Sequence, residues 1–265
     1  MKRTAAIIMT VLLIMSLWAC GSKKDSEEDH LARIQKAGYF TVGLEGDWQP
    51  FSFHDENDNL IGFDVEVATE IGKRLGVEVR FVEAPWDGLF AGMSSGRYDM
   101  VVNGVDVTPD RQETFDFTVP YAYDRAVVIV PADNTTITSF EDLKGLKTAN
   151  SIGSTYQEIG ESYGATVLGV DTLVETLTMV TNGQVDATIN AATSFGDYMK
   201  ANPSAPLKVA AVSEDVTAYA IPLVKGEDNA TFIEAVNKAI EEMRADGTLA
   251  EISVKYFGED LTQTE

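Results

Sequence analysis

Arg111 is the residue of this 265-residue chain best suited to holding a charged ligand. A planar guanidinium can grip a carboxylate through two parallel hydrogen bonds. An arginine at this place could instead pair on the surface with Asp110 or Glu113. Gly153-Ser154-Thr155 precedes a helix start, where backbone N–H groups and hydroxyls can complete an anion site. Ser154 is also a plain helix cap, and both roles are compatible. Trp48 and Trp86 can wall a pocket and exclude water, or pack into a core. The two histidines, His30 and His54, are isolated, and no His/Cys cluster suggests a metal. The sequence shows no nucleophile–base pair and no cofactor loop, so no cofactor is expected.

Cys20, the single cysteine, carries a different chemistry. Lys2 and Arg3 precede an apolar run from Ala5 to Ala19, the pattern of a secretory signal. The run is shorter than the ~20 residues of a comfortable membrane span. Leu17-Trp18-Ala19-Cys20-Gly21 resembles a bacterial lipobox, with bulky Trp18 where a small residue is usual. That resemblance implies a signal peptide at 1–19 and a lipidated Cys20, palmitate included. Residues 20–30 then form the lipid anchor and a polar, flexible tether. The working protein is expected outside the cytoplasm, anchored to the cell membrane, with a single-membrane bacterium preferred. Ordinary secretion without the lipid is the alternative.

The formal charge of −22 disfavours nucleic acid and anionic headgroups as partners. With one cysteine there is no internal disulfide, and stability must come from packing.

Beyond the tether, strand-like and helix-like segments alternate. Strands are predicted at 40–44, 77–82 and 99–103, with helices at 64–75 and 86–94 between them. A second set has strands at 127–130 and 187–190. Helices follow Ser154 and Thr172, both with capping-box spacing. The chain then returns through a strand at 218–221 to a long helix with Phe232, Val236, Ile240 and Met243 in register, and a last helix from Thr248. Such alternation predicts parallel α/β sheets.

Several of these segments together resemble the family 3 solute-binding proteins of polar amino acid ABC transporters. The resemblance rests on Trp48-Gln49-Pro50-Phe51-Ser52-Phe53 and Gly62-Phe63-Asp64-Val65-Glu66-Val67-Ala68. It continues through Asn103-Gly104-Val105-Asp106-Val107-Thr108-Pro109-Asp110-Arg111, Phe115-Asp116-Phe117 and Asp246-Gly247-Thr248-Leu249. It implies an α/β, periplasmic-binding-protein-like fold: two α/β lobes joined by a two-strand hinge, with the ligand cleft between them. Lobe one would take residues 31–126 plus 219–265, and lobe two residues 127–218. The stretches 150–169 and 197–203 look most like cystine-binding members.

The same resemblance implies that Arg111, Ser154 and Thr155 hold the ligand's carboxylate, that Trp48 and Trp86 line the pocket, and that Asn103 and Gly104 belong to the ligand loop. Many relatives carry an aspartate where this chain has Ala191. Asp106, with Glu45, is expected to replace that acid and receive the ligand's ammonium. The implied function is capture of a polar amino acid, cystine or similar, by lobe closure and its delivery to an ABC permease. A monomer without enzymatic activity is expected. Two alternatives remain open: a sensing module for a separate receptor, and an exported dehydratase-like enzyme with Glu45 or Asp106 as general acid.

Overall fold

A computed structural model describes residues 29–264; the expected signal peptide, Cys20 and nearly all of the tether lie outside the described residues. Asp29 accepts a hydrogen bond from Ala32 N at 2.9 Å and so caps α1 (His30–Ala37). The chain continues through β1 (Tyr39–Leu44), β2 (Asp47–Trp48), β3 (Ser52–His54), β4 (Leu60–Ile61), α2 (Phe63–Leu75), β5 (Glu78–Glu83), α3 (Trp86–Ser94) and β6 (Met100–Val101). After α4 (Pro109–Thr114) come β7 (Phe115–Phe117) and β8 (Ala122–Asp124). A second series comprises β9 (Ala126–Pro131), β10 (Lys147–Ser151), α5 (Thr155–Ser162), β11 (Thr166–Val170), α6 (Leu173–Thr181), β12 (Ala187–Ala191), α7 (Ala192–Ala201) and β13 (Leu207–Val212). The return path is β14 (Thr217–Tyr219), β15 (Pro222–Val224), α8 (Ala230–Ala245) and α9 (Thr248–Phe257).

Two sheets organise two lobes. In the first, β1 lies between β5 and β6 and runs parallel to both. In the second, the order is β11-β10-β12-β9-β13. There β10 is parallel to β11 and β12, but β9 is antiparallel to both β12 and β13. The parallel sheet expected from the alternation is therefore mixed. The reason is connectivity: β9 carries the chain away from the crossing between lobes, and β13 carries it back. Antiparallel ladders β8–β14 and β7–β15 hold the crossing strands together.

The strand predicted at 218–221 divides into β14 and β15. Between them Ile221 N turns to Thr118 Oγ1 at 2.9 Å, and Pro222 has no N–H to offer a ladder. The strand predicted at 99–103 is only Met100–Val101, which leaves Asn103 free of the ladder. The expected helical faces are present. Val67, Ala68 and Ile71 of α2 are buried, as are Phe232, Val236, Ala239, Ile240 and Met243 of α8. Each large apolar side chain buried this way stabilises the lobe by ~1.5–3 kcal/mol. Phe232 reaches Phe40 of β1 with ring centroids 5.7 Å apart, tying the C-terminal helix to the first sheet.

One consequence of this topology positions the site. The carboxyl ends of β1 and β6 lead to Glu45 and Asn103, and those of β10 and β12 end at Ser151 and Ala191. Ligands of open α/β sheets bind outside such strand ends, and here both sets face one cleft.

Candidate functional site

A cleft holding about 450 Å³ of space free of protein atoms lies between the two sheets. Its walls include Glu45, Asp47, Trp48, Trp86, Gly104 and Asp106 from the first lobe, and Ser151, Ser154, Thr155, Tyr156, Thr172, Leu173 and Asn190 from the second.

Glu45 follows β1 and is fixed from behind. Asn103 Nδ2 donates to Glu45 Oε2 at 2.6 Å, and Asn103 Oδ1 accepts Glu45 N at 2.9 Å. Ser52 Oγ accepts Gly46 N at 3.1 Å and contacts the same Asn103 oxygen at 3.4 Å. Burial raises the Glu45 pKa from 4.5 to about 7, against the lowering effect of Asn103 and with the charges of Asp47 and Asp64 adding to the rise.

The aromatic walls are braced. Trp48 stacks on Phe51 with centroids 4.2 Å apart and planes 13° apart. Gly104, at φ +51°, lies so close to Trp48 that a Cβ there would stand 2.6 Å from the indole. Behind Gly104, its N–H donates to Tyr121 Oη at 3.2 Å, and Tyr121 donates to the fully buried Asp64 at 2.8 Å. Trp86 opens α3 and packs edge-on against Phe90 at 5.5 Å.

In the second lobe, Ser154 caps α5 by accepting Gln157 N at 3.1 Å. Thr155, the first residue of α5, donates its hydroxyl to Asp106 Oδ2 across the cleft. Thr172 closes a full capping box with Glu175 at the start of α6. Asn190, next to last in β12, lines the cleft, and its Oδ1 accepts Ala191 N at 2.9 Å.

Arg111 does not line the cleft. It stands behind Asp106, with Nη1 3.2 Å from the Asp106 carbonyl and 3.5 Å from Asp106 Oδ1. Nη2 reaches across to Gly153 O at 3.4 Å. The guanidinium lies 5.3 Å from the Trp86 ring and 5.2 Å from the Phe90 ring. Burial raises the Asp106 pKa, opposed by Arg111 and the Thr155 hydroxyl.

Of the nine ligand residues expected, seven share the cleft wall: Glu45, Trp48, Trp86, Gly104, Asp106, Ser154 and Thr155. Asn103 and Arg111 stand one layer behind it. The wall residues Asp47, Ser151, Tyr156, Thr172, Leu173 and Asn190 were not expected. Strand ends and helix caps could have flagged Ser151, Thr172 and Asn190. Nothing local marks Tyr156, a buried tyrosine whose hydroxyl contacts that of Tyr219 at 3.1 Å. Among the described residues no group of His, Cys, Asp and Glu could hold a metal ion, and no helix is long and apolar enough to cross a membrane.

Residues 40–259 match the bacterial extracellular solute-binding proteins, family 3. The L-cystine-binding protein TcyA of Bacillus subtilis is 39% identical over 99% of this chain and 100% of its own length. An ancestral arginine-binding protein bound to glutamine is 37% identical and superposes with a TM-score of 0.79, covering 84% of this chain and 99% of its own. The unliganded, open L-cystine solute receptor of Neisseria gonorrhoeae is 38% identical, over 88% of this chain and 98% of its own, with a TM-score of 0.59.

Proposed function

This chain belongs to the bacterial extracellular solute-binding proteins of family 3, and we propose that it is the capturing component of an amino acid ABC importer. The observation that carries the reading is the cleft itself. Two lobes present strand ends, a helix N-terminus, two indoles and ordered carboxylates to one cleft. Closure about the crossing strands β8 and β14 would sequester the ligand and create the shape that a permease recognises.

In this reading the ligand's ammonium is received by Glu45 and Asp106, its carboxylate approaches Arg111 and the start of α5, and Trp48 and Trp86 cover its apolar part. The likeness to TcyA favours cystine among polar amino acids. We place the lobe boundaries at 31–126 plus 219–265 and at 127–218, and the anchor at lipidated Cys20. A tether of this kind raises the effective concentration of the trap at its permease.

A thermal-shift screen of the twenty amino acids plus cystine tests this function. A ligand that binds only the folded protein raises its apparent stability by mass action. A saturable rise with a polar amino acid is expected; no shift with any of them refutes the reading. Glu45, with its pKa near neutrality, also has the character of a general acid. Release of a dehydrated product from a bound carboxylic acid substrate would favour that second reading over transport.

A further inference from the structure

Asp64 is an ionisable side chain that takes no part in the cleft wall. It sits in the first turn of α2 and is fully buried. Its Oδ1 accepts the Tyr121 hydroxyl at 2.8 Å, while Oδ2 meets no hydrogen-bond partner. Burial pushes its pKa up to about 7. Such a group is a poor device for stability, since an apolar side chain of similar volume would fill the place at less cost. Tyr121 is equally buried and is already held without its hydroxyl. Its N–H donates to Tyr219 O at 2.9 Å, and its ring stacks on Phe63 with centroids 5.8 Å apart. What the two polar groups add is one further bond: the Gly104 N–H donates to Tyr121 Oη at 3.2 Å.

We propose that Asp64 is a positioning residue for the ligand site, acting through Tyr121 to hold the Gly104 peptide and with it the wall segment 104–106. The proposal rests on the cleft being the ligand site of the importer, and it adds a residue that lies outside the wall.

The direction of the bonds supports it. A tyrosine hydroxyl has one proton and two lone pairs. Asp64 takes the proton, which leaves the lone pairs to the Gly104 N–H. A strong acceptor also polarises the hydroxyl and strengthens the bond that it receives.

The path of the backbone supports it independently. Val102 N donates to Gly43 O at 3.1 Å, and Val105 O accepts Ala220 N at 3.0 Å. Between these ties the chain turns through φ +51° at Gly104. The Trp48 ring covers the same glycine too closely to admit a Cβ. A shift of the Gly104 peptide therefore moves an indole of the wall and, two residues on, the Asp106 carboxylate.

Calorimetry with L-cystine and the twenty amino acids in turn reads affinity, and urea unfolding reads stability. Asp64→Leu and Tyr121→Phe should each weaken binding about tenfold. Asp64→Asn returns an acceptor of the same shape and should bind about fivefold more tightly than Asp64→Leu. The double variant Asp64→Leu with Tyr121→Phe leaves no buried hydroxyl unpaired, so its stability should exceed that of Asp64→Leu. Its affinity should stay about tenfold down, because the two residues act through one chain of bonds. A pair that merely supported the fold would regain affinity along with stability, and that result overturns the proposal. Affinity within about twofold of the unsubstituted protein in Tyr121→Phe also overturns it and leaves the importer reading intact. Should Asp64→Leu fail to fold, Tyr121→Phe and hydrogen exchange at the Gly104 amide decide. Exchange about tenfold faster in that variant is expected, and unchanged exchange overturns the proposal. If no amino acid binds the unsubstituted protein, the importer reading falls, and the same exchange measurement alone upholds or overturns the hold on Gly104.

Discussion

Replacing Glu45 by glutamine should change the way stability responds to pH. Glu45 is a carboxyl group with a reference pKa of 4.5 that burial lifts to about 7 in the folded protein. Between those values the folded protein keeps a proton that the unfolded chain has released. Stability therefore falls as pH rises through this window, by ~1.4 kcal/mol per unit, and levels off above the folded pKa. The whole contribution amounts to roughly 3 kcal/mol. Glutamine carries no titrating proton, and its amide oxygen can still accept from Asn103 Nδ2. Glu45→Gln should thus match the unsubstituted protein near pH 5 and exceed it by up to roughly 3 kcal/mol near pH 8. The assay is urea unfolding at both pH values, read as the difference between the two proteins. Taking the difference removes the titrations of Asp64, pushed up to about 7 by burial, and Asp124, pushed up to about 6. A stability difference identical at both pH values would refute the placement of Glu45 in a desolvated wall.

Three further outcomes are expected. Gly104→Ala places a methyl group 2.6 Å from the Trp48 indole at a left-handed φ. It should cost about 1–2 kcal/mol of stability from the backbone alone, shift tryptophan fluorescence and weaken ligand binding; unchanged fluorescence and affinity would contradict the contact. Thr155→Val removes the hydroxyl that joins the lobes through Asp106. A bond to a charged acceptor is worth about 1.5–3 kcal/mol, so small-angle scattering of the ligand-free variant should show a larger radius of gyration than the unsubstituted protein. Thr172→Ala abolishes the capping box of α6 and should lower stability by about 1 kcal/mol in denaturant unfolding, whereas an unchanged midpoint would show the cap to be idle.

The helices were the most legible part of the sequence. The faces of α2 and α8 follow the helical period, and Thr172 with Glu175 marks a start by side-chain chemistry alone. Strands were less so. β11 contains Gly169, and β13 is partly exposed with a register shift between Val209 and Ala211. Neither alternates cleanly, so neither was expected. The direction of β9 was hidden because a fully buried run reads alike in parallel and antiparallel sheets. At the site, residue types named the participants but not their layers. Arg111 and Asp106 are five positions apart across a turn, and only the fold shows the aspartate in front and the arginine behind. Tyr156 and Asn190 reach the wall through sheet order, which no local pattern encodes.

The contact between Phe40 and Phe232 has a meaning for how the molecule comes into being. Its two rings belong to opposite ends of the chain, and α8 and α9 both pack on α2, the helix that precedes β5 in the first lobe. The sheet of the second lobe, by contrast, is drawn from one unbroken stretch, β9 to β13. During synthesis or passage across a membrane the second lobe can assemble its sheet while the first still lacks its closing helices. The long loop that the first lobe must close carries an entropic cost and slows folding. An unfinished chain therefore presents half of a trap, and ligand can be held only after the last helix has arrived.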